Sequence, residues 1–444
     1  MSILVGNSTA KITSQHDLFY DYLLQSLGKE QAKQYLDANE EAVHNIEKII
    51  KKEEISCEYE KQDAYVFTQK EEEIPKIKKE VEAVNSLGFP AEFVTNVELP
   101  IKIKGAIKFP NQAQFNPCKY ANGLVDAISK SEKVIIFENT KVVDVKKEAP
   151  YKIITENGKM VKAKYVVLAT HYPIINIPGY YFLKMYQSMS YAIGVETQKQ
   201  LFQGMYINSE KPTFSFRTAK TGDKDLLIVV GGDHKTGEEK DLSRTYEELE
   251  KEAKQIDPDS KVIYKWCTED CISLDKIPYI GEFSNLMPNV YVGTGYKKWG
   301  ITSSNIAANI IVDKILGKEN PYKEVFTSTR LKPVKNYQEM GNVLKEVTNS
   351  LIIDKFKIPE ETLNEIGLDE GKILELDGKK VGAYKSPKDE LFIIKPVCSH
   401  LGCELTWNNL EKTWDCPCHG SRFTYEGKSI YDPSIKDLER IELE

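Results

Sequence analysis

The residues best suited to chemistry lie near the C-terminus. Cys398-Ser399-His400-Leu401-Gly402-Cys403 is followed by Cys416-Pro417-Cys418-His419-Gly420-Ser421, so a C-x-H step, fifteen intervening residues and a C-x-x-H step stand in order. Two thiolates and two imidazoles on two short loops can close around a metal centre. Two centres take that donor set: a tetrahedral zinc ion, and a two-iron, two-sulfide cluster in which two His replace two Cys on one iron. Zinc knuckles usually space their paired cysteines roughly two to four residues apart, and C-x-H is not such a knuckle, which favours the cluster. Each loop carries a second cysteine, Cys403 and Cys418, and these predict a cross-loop disulfide clamping the loops over the cluster. Pro417 and Gly420 give the second loop its turn geometry and leave backbone N–H groups free to face sulfur.

With these residues in view, the CSHLGC and CPCHGS loops resemble those of Rieske iron–sulfur proteins of the cytochrome bc type. The resemblance implies that Cys398 and Cys416 hold one iron, and His400 and His419 the other. Ser421 matches the serine that hydrogen-bonds a bridging sulfide. Where that family has a tyrosine whose hydroxyl reaches a cysteine sulfur, this chain has Phe423. Such hydrogen bonds favour the reduced, more negative cluster, so the missing one predicts a potential below that of the respiratory proteins. The imidazole ligands predict a potential that depends on pH.

These loops need a small domain to hold them, expected over 359–444, with strands Val381–Tyr384 and Leu391–Ile394 before the first loop. Ahead of it, 319–358 reads as a charged connector with one short helix from Asn336 to Leu351. The chain upstream alternates helical and strand signals. Apolar residues at helical spacing run through Lys29–Lys52, charged helices are expected at Glu71–Asn85 and Ser243–Gln255, and a short one at Tyr120–Ile128. Strands are expected at Val134–Glu138, Thr140–Val145, Met189–Glu196, Thr213–Thr218 and Leu226–Gly231. Asn157-Gly158 between Tyr151–Thr155 and Val161–Ala163 signals a hairpin. Tyr165–Thr170 has the apolar run of a buried parallel strand. Val290–Gly295 reads as strand then glycine turn, and Gly300-Ile301-Thr302 opens a helix that Gly317 ends. Glycines before a helix N-terminus let an anionic cofactor approach free N–H donors; a plain strand–turn–helix is the other reading of the same residues.

Taken together, Thr9-Ala10-Lys11-Ile12-Thr13, Val166–Thr170, Trp266–Asp270 with Pro278-Tyr279-Ile280-Gly281, and Gly293–Thr302 resemble the FAD-dependent oxidoreductases of the D-amino-acid oxidase and glycine oxidase superfamily. The resemblance is closest to the bacterial group that fuses this module to a C-terminal Rieske domain. It implies an α/β FAD-binding, Rossmann-like but incomplete domain over 1–318. An α+β substrate domain would be inserted at about 55–112 and 180–275, and a small all-β Rieske domain would follow. It further implies that Thr9, Lys11 and Thr13, with Gly293, Gly295, Gly300, Ile301 and Thr302, lie near the flavin, and Ala169 and Thr170 near the dinucleotide. A cation such as Lys11 would stabilise a reduced, anionic flavin. The family opens on G-x-G-x-x-G, and no such motif occurs in the 444 residues. One β-α-β unit, roughly thirty or more residues, is therefore expected to be missing. A late start codon, a frameshift or a split gene would each account for it, and FAD binding by this chain alone would be impaired.

Other residues offer less. Arg217 could bind a substrate carboxylate or be an ordinary paired arginine. His171 reads as a turn histidine rather than a flavin neighbour, Asp233-His234 as a loop, and Cys267 and Cys271 as scattered thiols. A Rieske non-haem oxygenase would need paired histidines with a carboxylate, and His16, His44, His171 and His234 are not closely paired. A net charge of −7 argues against nucleic acid as a partner. No apolar run is long enough for a transmembrane segment, and a cytoplasmic protein is expected. The expected function is a flavin- and Rieske-type oxidoreductase. It would move electrons between a small amine or hydroxy acid, FAD and a 2Fe-2S cluster, with an electron donor or acceptor protein as partner. The alternative is a non-enzymatic electron-transfer protein carried on a flavin-free scaffold.

Overall fold

The computed structural model describes residues 3–199, 201–221, 224–238, 241–330 and 363–442. Most of the expected connector and all of its helix, Asn336–Leu351, lie outside the described residues.

A nine-stranded sheet organises the first three hundred residues. Its order is Lys11–Ile12, Gly105–Gln114, Glu60–Thr68, Met205–Asn208, Ser215–Thr221, Lys224–Lys235, Met185–Glu196 and Lys261–Ser273, with Glu92–Val94 beside Gly105–Gln114. All neighbours are antiparallel except Met205–Asn208, which runs parallel to Glu60–Thr68. Strand Met185–Glu196 is buried almost end to end. Helix Thr245–Ile256 lays Leu249, Ala253 and Ile256 against its Met189, Tyr191, Ile193 and Val195.

Helix Lys29–Lys52 forms where the periodicity predicts. Its buried stripe of Ala32, Tyr35, Leu36, Ala42, Val43, Ile46 and Ile50 follows the helical repeat. Part of that stripe shares a core with Ile306, Ile310 and Ile311 of helix Gly300–Ile315. Each such aliphatic side chain contributes roughly 1.5–3 kcal/mol on burial. The preceding helix, Tyr20–Leu27, starts on a carboxylate. Glu80 accepts from the N–H groups of Phe19, Tyr20 and Asp21 at 2.7, 2.7 and 2.9 Å, satisfying donors that a helix start leaves open.

A second sheet holds Tyr279–Glu282, Val290–Thr294 and Val166–Leu168, the last two parallel. Their C-terminal ends lie side by side, the place where α/β sheets present ligands. Gly295, at φ +71°, turns the chain there. A third sheet, Val142–Lys146, Tyr151–Thr155 and Met160–Ala163, contains the expected hairpin with Gly158 at φ +77°.

The strand expected at Val134–Glu138 is absent. That run is irregular, and Ile135 and Phe137 are 76% and 66% exposed. An apolar run becomes a strand only where a neighbour satisfies its backbone, and none of the described strands pairs with it.

Residues 363–442 form a small all-β unit. A three-stranded sheet (Glu370–Leu376, Lys379–Lys385, Leu391–Ile394) faces a four-stranded one (Thr406–Asn408, Thr413–Asp415, Arg422–Thr424, Ser429–Tyr431). Trp414, Leu405 and Phe423 fill its core beside four cysteines.

Candidate functional site

Two loops meet at one end of the C-terminal unit, and each closes on itself. In the first, Cys398 N–H bonds Cys403 O at 2.8 Å and Gly402 N–H bonds Cys398 O at 2.9 Å. In the second, Cys416 N–H bonds Ser421 O at 2.8 Å and Gly420 N–H bonds Cys416 O at 2.9 Å. Cys403 and Cys418 form a disulfide across the loops with Cα atoms 6.6 Å apart. Their sulfurs are thus engaged, and Cys398, His400, Cys416 and His419 are left as the donors.

Those donors converge. The two thiols hydrogen-bond each other, and one of the pair, Cys398, is held below the usual thiol range by that bond, aided by the N–H groups of His400 and Leu401 and by the Ser421 hydroxyl. The two imidazoles stand edge to face with centroids 5.1 Å apart, and Nδ1 of each is buried without a partner. Burial keeps both rings neutral, lowering His400 to about 4 and His419 to about 3. Two neighbouring sulfurs and two neutral imidazoles, each with an orphaned Nδ1, fit a Rieske-type cluster. Ser421 Oγ accepts from Ser434 N–H at 3.0 Å, which leaves its own proton for the sulfur side. Phe423 is fully buried among these cysteines and offers no hydroxyl.

The second constellation gathers at the start of helix Gly300–Ile315. Ala10 and Ile12 pack with Ile301, and His16 stacks on Trp299 at 4.7 Å. Lys11 reaches Ser215 Oγ, two residues from Arg217 along one strand. Burial, then the Arg217 charge, lowers Lys11 to about 7, and burial lowers Arg217 to about 10. The guanidinium donates to Thr218 O at 3.2 Å and Phe115 O at 3.4 Å, and its Nε finds no partner. Arg217 lines a cavity of about 220 Å³ with Gln114, Phe115, Tyr264 and Trp266. Glu58 and Glu60 on its wall are engaged by Lys119 and Lys220. In the turn before the helix, Lys298 donates to Ser190 Oγ at 2.8 Å and lies 3.9 Å from Asp233. Burial, opposed by Lys298, raises Asp270 to about 6. Trp299 Nε1 is buried without an acceptor. A half-buried Lys11, Lys298 in the turn and an unused indole donor at a helix start fit the anionic, aromatic flavin end of FAD.

The remaining flavin candidates spread around this place. Thr9 is half-buried, and Thr13 spends its hydroxyl on Gln15 N–H at 2.9 Å. Thr302 is buried in the first turn of the helix. Ala169 and Thr170 are exposed at the end of strand Val166–Leu168. The Thr294 hydroxyl, between Gly293 and Gly295, donates to His171 O and ties the two strand ends together.

Contacts that the sequence did not signal join the two constellations. His400 Nε2 lies 2.7 Å from Asn176 Oδ1, and the Phe182 ring stands edge-on to His419 at 5.9 Å. Gln187 Nε2 donates to Asp432 O at 2.9 Å. Gly420, at φ +81°, lies so close to Gln187 that a Cβ would fall 2.3 Å from its side chain. Arg422 pairs with Asp415 at 3.0 Å, both side chains 2% exposed, and also reaches Cys267 Sγ at 3.5 Å. Tyr246 donates to Glu411 at 2.9 Å. Cys271 does not pair with Cys267; its sulfur lies 3.3 Å from Gln187 Oε1 and 3.7 Å from His171 Nδ1. Asn176, Phe182 and Gln187 sit more than two hundred residues from the loops they touch, so no spacing could have revealed them.

Comparison with known proteins agrees with this division. A family model described as FAD dependent oxidoreductase matches residues 5–314, and one described as Rieske [2Fe-2S] domain matches 361–442. A putative Rieske 2Fe-2S iron-sulfur protein of Bacillus subtilis is 35% identical over 439 residues, covering 99% of this chain and 86% of that one. The cytochrome b6-f complex iron-sulfur subunit of a Synechococcus strain is 44% identical over 48 residues, 11% of this chain and 28% of its own. Among solved structures, glycine oxidase from Geobacillus kaustophilus superposes with a TM-score of 0.61 at 17% identity, over 74% of this chain and 89% of that one. L-Proline dehydrogenase from P. horikoshii gives 0.59 at 15% identity, over 72% and 87%. At such identities the likeness is one of fold.

Proposed function

This chain belongs to the FAD dependent oxidoreductase family and ends in a Rieske [2Fe-2S] domain, and on that premise we propose that it oxidises a small amine or hydroxy acid that carries a carboxylate. It is a flavin- and Rieske-type oxidoreductase whose cofactors are FAD and a 2Fe-2S cluster. The flavin-free scaffold is not favoured, because the oxidoreductase match spans residues 5–314.

The observation that carries the substrate reading is Arg217, buried beside Lys11 on the wall of a cavity whose own carboxylates are already engaged. Arg217 offers an unused Nε–H and Lys11 a second positive charge, so together they would hold a carboxylate and orient the carbon next to it. Tyr264 and Trp266 would shield that carbon from water. FAD supplies two-electron acceptance from the substrate, and the cluster carries electrons singly. Cys398, Cys416, His400 and His419 would hold the cluster. Lys11, Lys298 and Trp299 would surround the flavin ring with positive charge and one N–H donor. An external one-electron carrier protein must exchange electrons with the cluster twice for each substrate molecule.

No helix among the described residues is long and apolar enough to cross a membrane. Cys57, Cys118, Cys267 and Cys271 stand unpaired, which supports a reducing compartment such as the cytoplasm. The test is anaerobic mixing of FAD-loaded protein with a panel of amino acids, N-substituted amino acids and hydroxy acids. Bleaching of the flavin band, followed by a reduced-cluster EPR signal, is expected with at least one carboxylate substrate. Bleaching only by substrates that lack a carboxylate would overturn the reading.

A further inference from the structure

The outward nitrogen of a cluster-bound histidine is normally its contact with the world, and here the chain itself covers it. His400 Nε2 lies 2.7 Å from Asn176 Oδ1, on the segment that joins strands Val166–Leu168 and Met185–Glu196. The carboxamide oxygen only accepts, so His400 carries its proton on Nε2 and leaves Nδ1 bare. Nδ1 is also the buried nitrogen without a partner. The same segment places Phe182 edge-on to His419, which is 1% exposed, and Tyr172 edge-on to His400 at 6.3 Å. Tyr172 lies buried near both Cys271 and Cys416, its hydroxyl unpartnered. Below it, Gly420 meets Gln187, and Gly237, at φ +78°, sits where a Cβ would fall 2.7 Å from the Pro417 nitrogen. These contacts bury His419 fully and leave His400 half-buried against Asn176.

Resting on the flavin and Rieske reading above, we propose that Asn176 is a positioning residue for the cluster and that segment 172–182 makes the imidazole edge an internal face. Asn176 fixes the ring orientation of His400 and, by accepting its N–H, makes the imidazole a stronger donor to iron. That edge then faces the oxidoreductase module of its own chain, and an external electron carrier must dock elsewhere.

A better acceptor on Nε2–H stabilises the oxidised cluster, so the effect has a sign. In full-length, cluster-loaded protein, Asn176→Leu is expected to raise the reduction potential and Asn176→Asp to lower it, both keeping the mixed His/Cys EPR signature. A merely structural contact would shift both variants alike. Diethyl pyrocarbonate should modify His400 and His419 slowly in the parent protein and faster in Asn176→Leu. Unchanged potentials in both variants, or shifts in one common direction, would overturn the assignment. Rapid modification of both histidines in the parent protein would overturn the covered edge. If Asn176→Leu fails to load, Asn176→Asp against the parent decides alone: a fall supports the proposal and no change overturns it. A parent protein lacking the mixed-ligand EPR signal would instead sink the underlying cofactor reading.

Discussion

The cluster cradle and the cationic pocket solve opposite electrostatic problems. In the cradle, burial keeps two imidazoles neutral and hydrogen bonds draw a thiol toward its thiolate. Neutral imidazoles and a thiolate are the forms in which these groups bind metal. In the pocket, burial works against charge that the fold nevertheless keeps, with Lys11 lowered to about 7 and Arg217 to about 10. The cradle is local, built from two loops with twelve residues between them. The pocket is assembled from residues as distant as Gln114, Arg217 and Trp266, with Lys11 close to Arg217, and only the folded sheet brings them near one another. A metal site can be written in spacing, whereas an anion site is a property of topology.

The largest effect should come from the cradle. Cys416→Ser removes one of two thiolates and is expected to abolish the cluster, seen as loss of its EPR signal and of protein-bound iron, while FAD binding persists. Loss of flavin as well would mean that the two regions are not separable. Next comes the boundary between them. Arg422 and Asp415 form a buried pair, and deleting one partner strands the other's charge at a cost of about 3–5 kcal/mol. Arg422→Ala should lower stability by that amount in urea titrations of the full chain. A change below about 1 kcal/mol would show the pair to be solvated in solution.

The pocket should respond more gently. Arg217→Met removes charged hydrogen bonds worth about 1.5–3 kcal/mol, so a carboxylate ligand should bind roughly ten- to a hundredfold more weakly, read by flavin spectral titration. The pH dependence follows from Lys11. In the free protein it is charged below about 7 and neutral above, so anion affinity should fall as pH rises through that value, up to about tenfold per unit. Lys11→Met should flatten the profile. Linkage has the opposite sign for the empty fold. The unfolded lysine keeps its proton up to 10.5, so between about 7 and 10.5 the unfolded chain binds more protons and stability rises with pH.

The same contrast explains what could be read from sequence. Helix Lys29–Lys52, the hairpin at Asn157-Gly158 and the two cluster loops were legible because local periodicity, turn chemistry and ligand spacing each act within a few residues. Val134–Glu138 misled because the same apolar run serves a strand only when a neighbour pairs with it. The long strand Lys261–Ser273 was hidden by charges at Glu269 and Asp270 that the fold buries against Thr236 and Lys298. Asn176 and Gln187 carry no signal at all, since an amide on a loop acquires meaning only from the domain that docks on it.

The smallest predicted effect is the sharpest probe of the hydroxyl that Phe423 does not supply to the cradle. Phe423 sits fully buried beside the cluster cysteines, and Arg422 and Thr424 on either side fix its strand register. Phe423→Tyr adds one hydroxyl where the ring edge already lies, with little change of packing. If that hydroxyl reaches a ligand sulfur, it gains about 1 kcal/mol in the reduced state, which is on the order of 40 mV for a one-electron couple. The potential should rise by that much, with stability nearly unchanged. A tyrosine that lowers stability while leaving the potential in place would mean that the ring edge points away from the sulfurs. A low measured potential would then have to come from burial of the imidazole edge.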